Sequence, residues 1–143
     1  MQRTPRNVAL DALARREHSV RELMERLHKA FPEQDADAFL PVIERLQEDG
    51  LQSDERFAEA YVRMRVNKGH GSVKIAHELL QRGIDESLAQ RSLSGCNWFE
   101  LGMAALLKKF GHSVPVDIEE KARMARFLQQ RGFAYGLVDE ILS

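Results

Sequence analysis

The residues best suited to chemistry lie in the stretch NKGHGSVKIAHELLQRGI, at positions 67–84. Gly69-His70-Gly71 opens like the first half of a glycine-rich phosphate loop, whose backbone N–H groups would bind an anion. His77-Glu78 opens like the HExxH motif, in which two histidines one turn apart bind zinc beside a catalytic glutamate. The stretch therefore has three interpretations: a nucleotide site, a metal site, or a hinge between two helices.

Neither chemical motif is complete. No third glycine follows Gly71 at the spacing of a dinucleotide fingerprint, and no GxxxxGK[ST] sequence occurs in the chain. Gln81 stands where HExxH requires its second histidine, so a zinc ion would lack the ligand one turn away. The other histidines are scattered, and Cys96 has no histidine partner nearby in the sequence. We therefore predict a protein with no catalytic centre, metal site or cofactor, and interpret Gly69-His70-Gly71 as a hinge.

Composition and charge narrow the class of protein further. The chain has 143 residues and a formal net charge of −1, with 43% hydrophobic and 30% charged residues. This composition is typical of a globular protein, and it argues against a protein coated with nucleic acid over its whole surface. The charge is uneven, because residues 33–55 carry eight acids and one base, whereas residues 56–82 carry six bases and two acids. An acidic segment beside a basic one favours a surface with mixed partners.

Two features of the sequence indicate a cytoplasmic protein. The chain contains one cysteine, Cys96, and so cannot form an internal disulfide. It has no run of about 18 apolar residues that could cross a membrane, and the first residues precede no apolar stretch long enough for a secretory signal. We expect a cytoplasmic monomer that does not contact membranes.

The spacing of apolar residues predicts the helices that would position a functional site. Leucine and alanine dominate, no stretch keeps a period of two, and apolar residues recur at intervals of three and four. Ser19 with Glu22 fits a capping box, and Gly83 and Gly132 follow periodic stretches where a left-handed residue ends a helix. We predict nine helices, at residues 5–16, 19–30, 38–49, 54–68, 72–82, 85–94, 97–110, 117–131 and 134–142.

An internal repeat organises these helices into groups of three. Three segments align without gaps: residues 18–31 (HSVRELMERLHKAF), 71–84 (GSVKIAHELLQRGI) and 120–133 (EKARMARFLQQRGF). A basic residue recurs at their fourth position, and the second and third segments share Gln-Arg-Gly before an apolar residue. We predict an all-α fold of three tandem three-helix repeats stacked into an elongated, curved body. The expected repeats span residues 1–50, 51–95 and 96–143.

The opening stretch is then the hinge and second helix of the middle repeat. We expect Ser72 to cap the N-terminus of this helix. Its apolar residues Ile75, Leu79 and Leu80 should face inward. Lys74 should face outward, which leaves a basic side chain available on the surface of the repeat.

Basic side chains are the remaining candidates for a binding function. At corresponding positions of stacked repeats, Arg21, Lys74 and Arg123 would line one side of the molecule. The alternative interpretation, a solvated helix face without a partner, stays open at this point. With the bases of neighbouring turns, the candidate partner-binding residues are Arg21, Arg63, Arg65, Lys68, Lys74, Arg82, Arg123, Arg126 and Arg131.

Several stretches of the sequence, in a fixed order, resemble the sequence pattern of one protein family. The centre of the chain contains Ser53-Asp54-Glu55-Arg56-Phe57-Ala58, then Asn67-Lys68-Gly69-His70-Gly71, then Arg82-Gly83-Ile84. Ala14-Arg15-Arg16-Glu17-His18-Ser19 precedes them, and Arg131-Gly132-Phe133 follows near the end. With these residues, almost the whole chain resembles the RecX family of regulators of the bacterial recombinase RecA. The family pattern runs D-x-R-F-A, K-G-Y-G, I-R-x-E-L and K/R-G-I.

The resemblance implies a non-enzymatic protein of DNA recombination, DNA repair and the SOS response that binds RecA and its filaments on single-stranded DNA. Binding would inhibit recombinase, ATPase and co-protease activities by limiting filament growth or promoting disassembly; direct DNA contact stays open. Two residues depart from the pattern: His70 replaces the tyrosine of K-G-Y-G, and Ala76 replaces the arginine of I-R-x-E-L. An alternative function is a helix-turn-helix-like nucleic-acid binding module acting without RecA, although the near-neutral charge disfavours it.

Overall fold

The structure is a computed structural model that describes residues 3–143. This part of the chain contains nine α-helices and no strand. In chain order they are α1 Pro5–Arg15, α2 Val20–Ala30, α3 Ala36–Glu48, α4 Asp54–Asn67, α5 Ser72–Gln81, α6 Glu86–Leu93, α7 Trp98–Phe110, α8 Ile118–Gln130 and α9 Tyr135–Leu142. Every predicted helix is present, so the all-α prediction is confirmed. Between residues 3 and 143 no helix is long and apolar enough to cross a membrane.

Signals at the helix ends explain where the chain divides. At the start of α2, the Glu22 N–H donates to the Ser19 hydroxyl at 3.1 Å, and the Ser19 N–H donates to the Glu22 carboxylate at 3.2 Å. The predicted capping box is therefore present. Gly83 and Gly132 follow α5 and α8 with φ angles of 85° and 92°. Only glycine adopts this left-handed conformation without a steric cost, which explains why these helices end there.

Three hydrophobic cores, each drawn from three consecutive helices, organise the molecule. Leu27 and Phe39 lie in the core of α1–α3, Ile75 in that of α4–α6, and Leu106 and Met124 in that of α7–α9. A unit of this size has a small core, and the three helices of each unit pack mainly against one another. The fold is three tandem three-helix repeats stacked into an elongated, curved body. The boundaries after residues 50 and 95 stay a prediction.

The first junction between repeats joins the N-terminus of α2 to the C-terminus of α5. The Ser19 hydroxyl donates to the Arg82 carbonyl at 2.7 Å, and the Arg21 guanidinium donates to the Gln81 carbonyl at 3.3 Å. Gly83 lies against Arg21 so closely that a β-carbon on this glycine would be 2.6 Å from the Arg21 Cβ. Carbonyls at the end of α5, which have no partner inside their own helix, thereby gain donors from the first repeat.

The second junction repeats this arrangement between α5 and α8. The Gly71 N–H donates to the Arg131 carbonyl at 2.7 Å, and the Val73 N–H donates to the Gly132 carbonyl at 2.9 Å. Gly132 lies against the backbone and Cβ of Lys74. The second helices of the three repeats therefore meet N-terminus to C-terminus, α2 on α5 and α5 on α8.

Two details of α5 differ from the sequence prediction. Gly71, rather than Ser72, occupies the N-cap position. The reason is the second junction, where the first amides of α5 bond to α8 and a β-carbon at position 71 would lie 2.5 Å from the Gly132 carbonyl carbon. Leu80 is 45% exposed and does not face inward. Ile75 and Leu79 are fully buried and already fill the face of α5 that meets the core.

Candidate functional site

Two of the predicted partner-binding bases, Arg65 and Arg82, are engaged in contacts within the protein. Arg65 forms a bidentate ion pair with Glu78, with N–O distances of 2.9 and 2.8 Å, and each side chain is 16% exposed. The Tyr61 hydroxyl donates to the same carboxylate at 3.1 Å. The Arg82 guanidinium lies 4.7 Å from the centre of the Tyr61 ring and 3.9 Å from the carboxylate of Glu22 in the first repeat. This network ties α4 to α5 and engages Arg65 through its Nε and Nη2 atoms.

The network also sets the protonation of its members. Burial raises the pKa of Glu78, but the hydrogen bonds from Arg65 and Tyr61 outweigh burial and leave that pKa below its ordinary value. Burial raises the pKa of Tyr61, and its hydrogen bond to Glu78 raises it further. At neutral pH, therefore, an ionised Glu78 pairs with a neutral phenol and a charged guanidinium.

Three more predicted bases, Arg21, Lys74 and Arg131, lie at the junctions between repeats. Arg21 and Lys74 pack through their β-carbons on the glycines that end α5 and α8. Arg131 donates to the Lys68 carbonyl at 3.2 Å and stacks its guanidinium over the Phe127 ring at 5.3 Å. The recurring base near the start of α2 and of α5 therefore marks a docking position between repeats. Its role toward a partner stays a prediction.

The other predicted bases are unengaged. Their side chains are exposed and form no hydrogen bond or salt bridge with the part of the chain that the structure describes. They lie on α4, on the hinge that follows it, and on α8. These bases are Arg63, Lys68, Arg123 and Arg126. They are the cations most available to an anionic partner, because no internal contact has to break first.

An open cleft between the second and third repeats gathers further bases. This inter-repeat cleft has a volume of about 370 Å³ and lies between the hinge after α4, the end of α7, and α8. Lys68 and Arg131 line it together with Lys108 and Lys109, which sequence reasoning missed. The sequence does show two adjacent lysines after an apolar run. Lysines in the last turn of a helix are common because they complement the helix dipole, so this pattern alone does not indicate a binding site.

His70, one of the two departures from the family pattern, lies in the wall of the inter-repeat cleft. Its Nδ1 atom is buried and has no hydrogen-bond partner within residues 3–143. Burial lowers the pKa of His70, and the charges of Arg65, Lys74 and Arg131 lower it further. The imidazole is therefore neutral at pH 7 and adds no charge to the cleft.

Ala76, the other departure, leaves an apolar face on α5. Ala76 is partly buried and packs against the second core. Val73 and Leu80 lie on the same side of the helix, three residues before it and four after it, and both are exposed. The outer face of α5 therefore presents aliphatic groups where the family pattern has an arginine.

The third helix of each repeat is poor in bases. In homeodomain-type helix-turn-helix modules, the third helix enters the major groove. Here α3 has Arg45, which pairs with Asp49 at 3.3 Å, and α6 has Arg91, which donates to the Ser87 hydroxyl at 2.8 Å. The last helix, α9, has no base. This distribution counts against DNA recognition by the third helices.

The residue types that could support metal or thiol chemistry are dispersed. Among residues 3–143 there is no group of three or more histidine, cysteine, aspartate or glutamate side chains that could hold a metal ion. Cys96 is partly buried against the second core, and burial raises the pKa of its thiol. The sulfur is therefore protonated at neutral pH, the less reactive form of cysteine.

Comparison with known proteins identifies the family. Two family models match, for the second three-helix domain of RecX over residues 53–93 and for the third three-helix domain of RecX over residues 99–142. A curated relative, the Regulatory protein RecX of Halorhodospira halophila, is 43% identical over 130 residues, covering 90% of this chain and 80% of the relative. The chain belongs to the RecX family. The Regulatory protein RecX of Pseudomonas syringae pv. tomato is 38% identical over 141 residues, covering 96% of this chain and 89% of the relative.

Solved RecX structures share the fold. The crystal structure of RecX from Lactobacillus salivarius has a TM-score of 0.80 and 24% sequence identity, and the match covers 96% of this chain and 91% of that one. A second crystal structure, of a regulatory protein RecX, has a TM-score of 0.75 and 21% identity, and the match covers 96% and 69%. The tandem arrangement of three-helix repeats is therefore the RecX fold.

Proposed function

We propose that this RecX-family chain is a non-enzymatic regulator that binds RecA and its filaments on single-stranded DNA. Binding inhibits recombinase, ATPase and co-protease activities, by limiting filament growth or by promoting disassembly. The observation that carries the proposal is the set of unengaged bases on the second and third repeats of a RecX fold. Acting as a cytoplasmic monomer, the protein would serve recombination, DNA repair and the SOS response.

The physical basis of the proposal is differential binding. A protein that binds one state of a filament more tightly than another shifts the equilibrium between them, and no chemical step is needed. A curved repeat array offers a long surface for such contacts. Arg63, Lys68, Arg123 and Arg126 would supply attraction to acidic side chains or phosphates, and this attraction weakens as salt rises.

The DNA-dependent ATPase activity of RecA tests the proposal directly. Titrating the purified chain into RecA on single-stranded DNA should inhibit hydrolysis at substoichiometric to equimolar ratios. Adding the chain before or after filament assembly separates a block on growth from active disassembly. Absence of inhibition at saturating protein would contradict the proposed function.

Binding to DNA in the absence of RecA tests the alternative. Fluorescence anisotropy with labelled single- and double-stranded oligonucleotides should show weak binding, because the net charge is −1 and the third helices carry few bases. Micromolar or tighter binding with a steep dependence on salt would instead support a nucleic-acid binding module.

A further inference from the structure

The inter-repeat cleft has an apolar floor. Leu101 and Ala105 of α7 form one side of it, and Phe127 and Phe133 form the other. Leu101, Ala105 and Phe127 also pack against the third core, and Phe133 is a buried member of it, so the floor is held by a close-packed interior. The volume of about 370 Å³ falls in the range of about 300–1,000 Å³ that is typical of ligand pockets.

The charges around the cleft are all of one sign. Lys68, Lys108, Lys109 and Arg131 line it, and the residues that the structure places in its walls include no aspartate or glutamate. Lys68, Lys108 and Lys109 are exposed, so their ammonium groups reach the solvent at the rim. A ligand that complements these walls combines negative charge with an apolar group.

We propose that the inter-repeat cleft is a docking site for an acidic peptide segment that carries one large apolar side chain. The apolar side chain lies on the floor formed by residues of α7 and α8, and the carboxylates on either side of it pair with the lysines. Lysine presents a compact charge on a flexible stem, so carboxylates at varied spacing can be bound. The site thus selects a composition, acidic with a central apolar anchor, more than one fixed sequence.

A nucleic-acid strand fits the cleft less well. Proteins that bind single strands commonly stack bases on exposed aromatic faces. Here the Phe127 ring is covered by the Arg131 guanidinium and contacted edge-on by Phe110, with ring centres 5.7 Å apart. Phe133 is 4% exposed. Arg131 thus occupies a face of the Phe127 ring and Phe133 is buried, which leaves little aromatic face to stack on a base.

Peptide binding can be measured without RecA or DNA. Failure of this proposal can therefore be distinguished from failure of the proposed function. The probe is a short fluorescein-labelled peptide of aspartate and glutamate with one central phenylalanine, titrated with the full chain and followed by fluorescence anisotropy. A matched peptide with serine in place of phenylalanine should bind at least about tenfold more weakly, because the apolar anchor is lost. A peptide with lysine in place of every acid should not bind.

Variants of the chain locate the binding site. Lys108→Glu with Lys109→Glu reverses the rim charge and should weaken binding at least about tenfold, and Ala105→Trp should do the same by filling the floor. The matched control is Arg26→Glu with Lys29→Glu, which makes the same charge change on exposed positions of α2. The control should bind within about twofold of the original chain. Circular dichroism verifies that each variant is folded.

Several outcomes would overturn the proposal. One is no binding of the phenylalanine peptide at millimolar protein, and another is equal weakening by the rim and control variants. Competition by a single-stranded oligonucleotide with loss of binding in the rim variant would assign the cleft to nucleic acid. Self-association that disappears in the rim variant would assign it to the acidic segment of a second copy, at residues 33–55.

Discussion

Gly132 packs against Lys74 across the junction between the second and third repeats, leaving no room for a side chain. A β-carbon on Gly132 would overlap the Cβ of Lys74 and lie 2.9 Å from its backbone nitrogen. Gly83 has the same relationship with Arg21 at the first junction. The repeated Gln-Arg-Gly ending is therefore a docking feature, and each glycine combines a left-handed backbone with a close approach between helices.

Replacing these glycines should destabilise the fold. Gly132→Ala and Gly83→Ala should each lower the free energy of unfolding by about 2–5 kcal/mol, because a left-handed alanine costs about 1–2 kcal/mol and the overlap about 1–3 kcal/mol. Urea denaturation followed by circular dichroism measures the loss.

Gly111 provides a matched control for the backbone contribution. It has a φ of 81°, like the junction glycines, but a β-carbon there would meet nothing within 4 Å. Gly111→Ala should therefore cost only about 1–2 kcal/mol. Equal losses at positions 111 and 132 would show that the contact between repeats contributes nothing to the effect.

The Arg65–Glu78 ion pair predicts a specific dependence of stability on pH. Glu78→Gln should lower the free energy of unfolding at neutral pH by about 1–3 kcal/mol, less than for a fully buried pair because solvent reaches both side chains. The folded-state pKa of Glu78 lies below its ordinary value of 4.5. Its contribution is therefore complete above about pH 4.5 and is lost as pH falls through the lower folded-state pKa.

The measurement is a series of urea titrations on the original chain and Glu78→Gln. The stability difference between them should be constant near neutral pH and shrink as the buffer becomes strongly acidic. Glu25→Gln, at an exposed position of α2, is the control and should leave stability almost unchanged. A Glu78→Gln difference that stays constant at acidic pH would mean that the carboxylate charge has no stabilising role.

Charge reversal tests the candidate partner-binding residues. Lys74→Glu with Arg123→Glu should weaken inhibition of the RecA ATPase by about five- to tenfold at low salt, with a smaller effect at high salt. Helical circular dichroism should be retained, because Lys74 meets Gly132 through its backbone and Cβ, which glutamate also has. Unchanged inhibition would remove both residues from the proposed binding surface.

A matched control for this experiment is Arg15→Glu with Arg26→Glu. Both residues are exposed on the first repeat and lie outside the candidate set. The control reverses the same number of charges, so equal weakening in both double variants would indicate a general effect of net charge and not a defined surface.

The fold could be predicted from the sequence because its determinants are local. Apolar spacing, the Ser19–Glu22 capping box and the glycines at helix ends each act within a few residues. The ion pair that engages Arg65 could not be predicted in the same way. Its partner, Glu78, lies 13 residues away on the next helix, and only the packing of α4 against α5 brings the two side chains together.

The candidate site was only partly predictable for a related reason. Arg21, Lys74 and Arg123 occupy equivalent positions in the aligned segments, but equivalence in a repeat array follows from docking as readily as from partner binding. Lys108 and Lys109 were missed because they lie outside that alignment. Their position opposite Lys68 depends on how the third repeat stacks on the second, which no single segment specifies.

The second junction is joined by main-chain groups, since amides at the start of α5 donate to carbonyls at the end of α8. Every residue other than proline carries the same two groups, so these main-chain bonds need glycine at the closest contact and no particular side chain elsewhere. Substitutions elsewhere can alter the surface while the angle between the repeats is kept. The shape of the binding surface is therefore set by the main chain, and its specificity by side chains. Either one can change without the other.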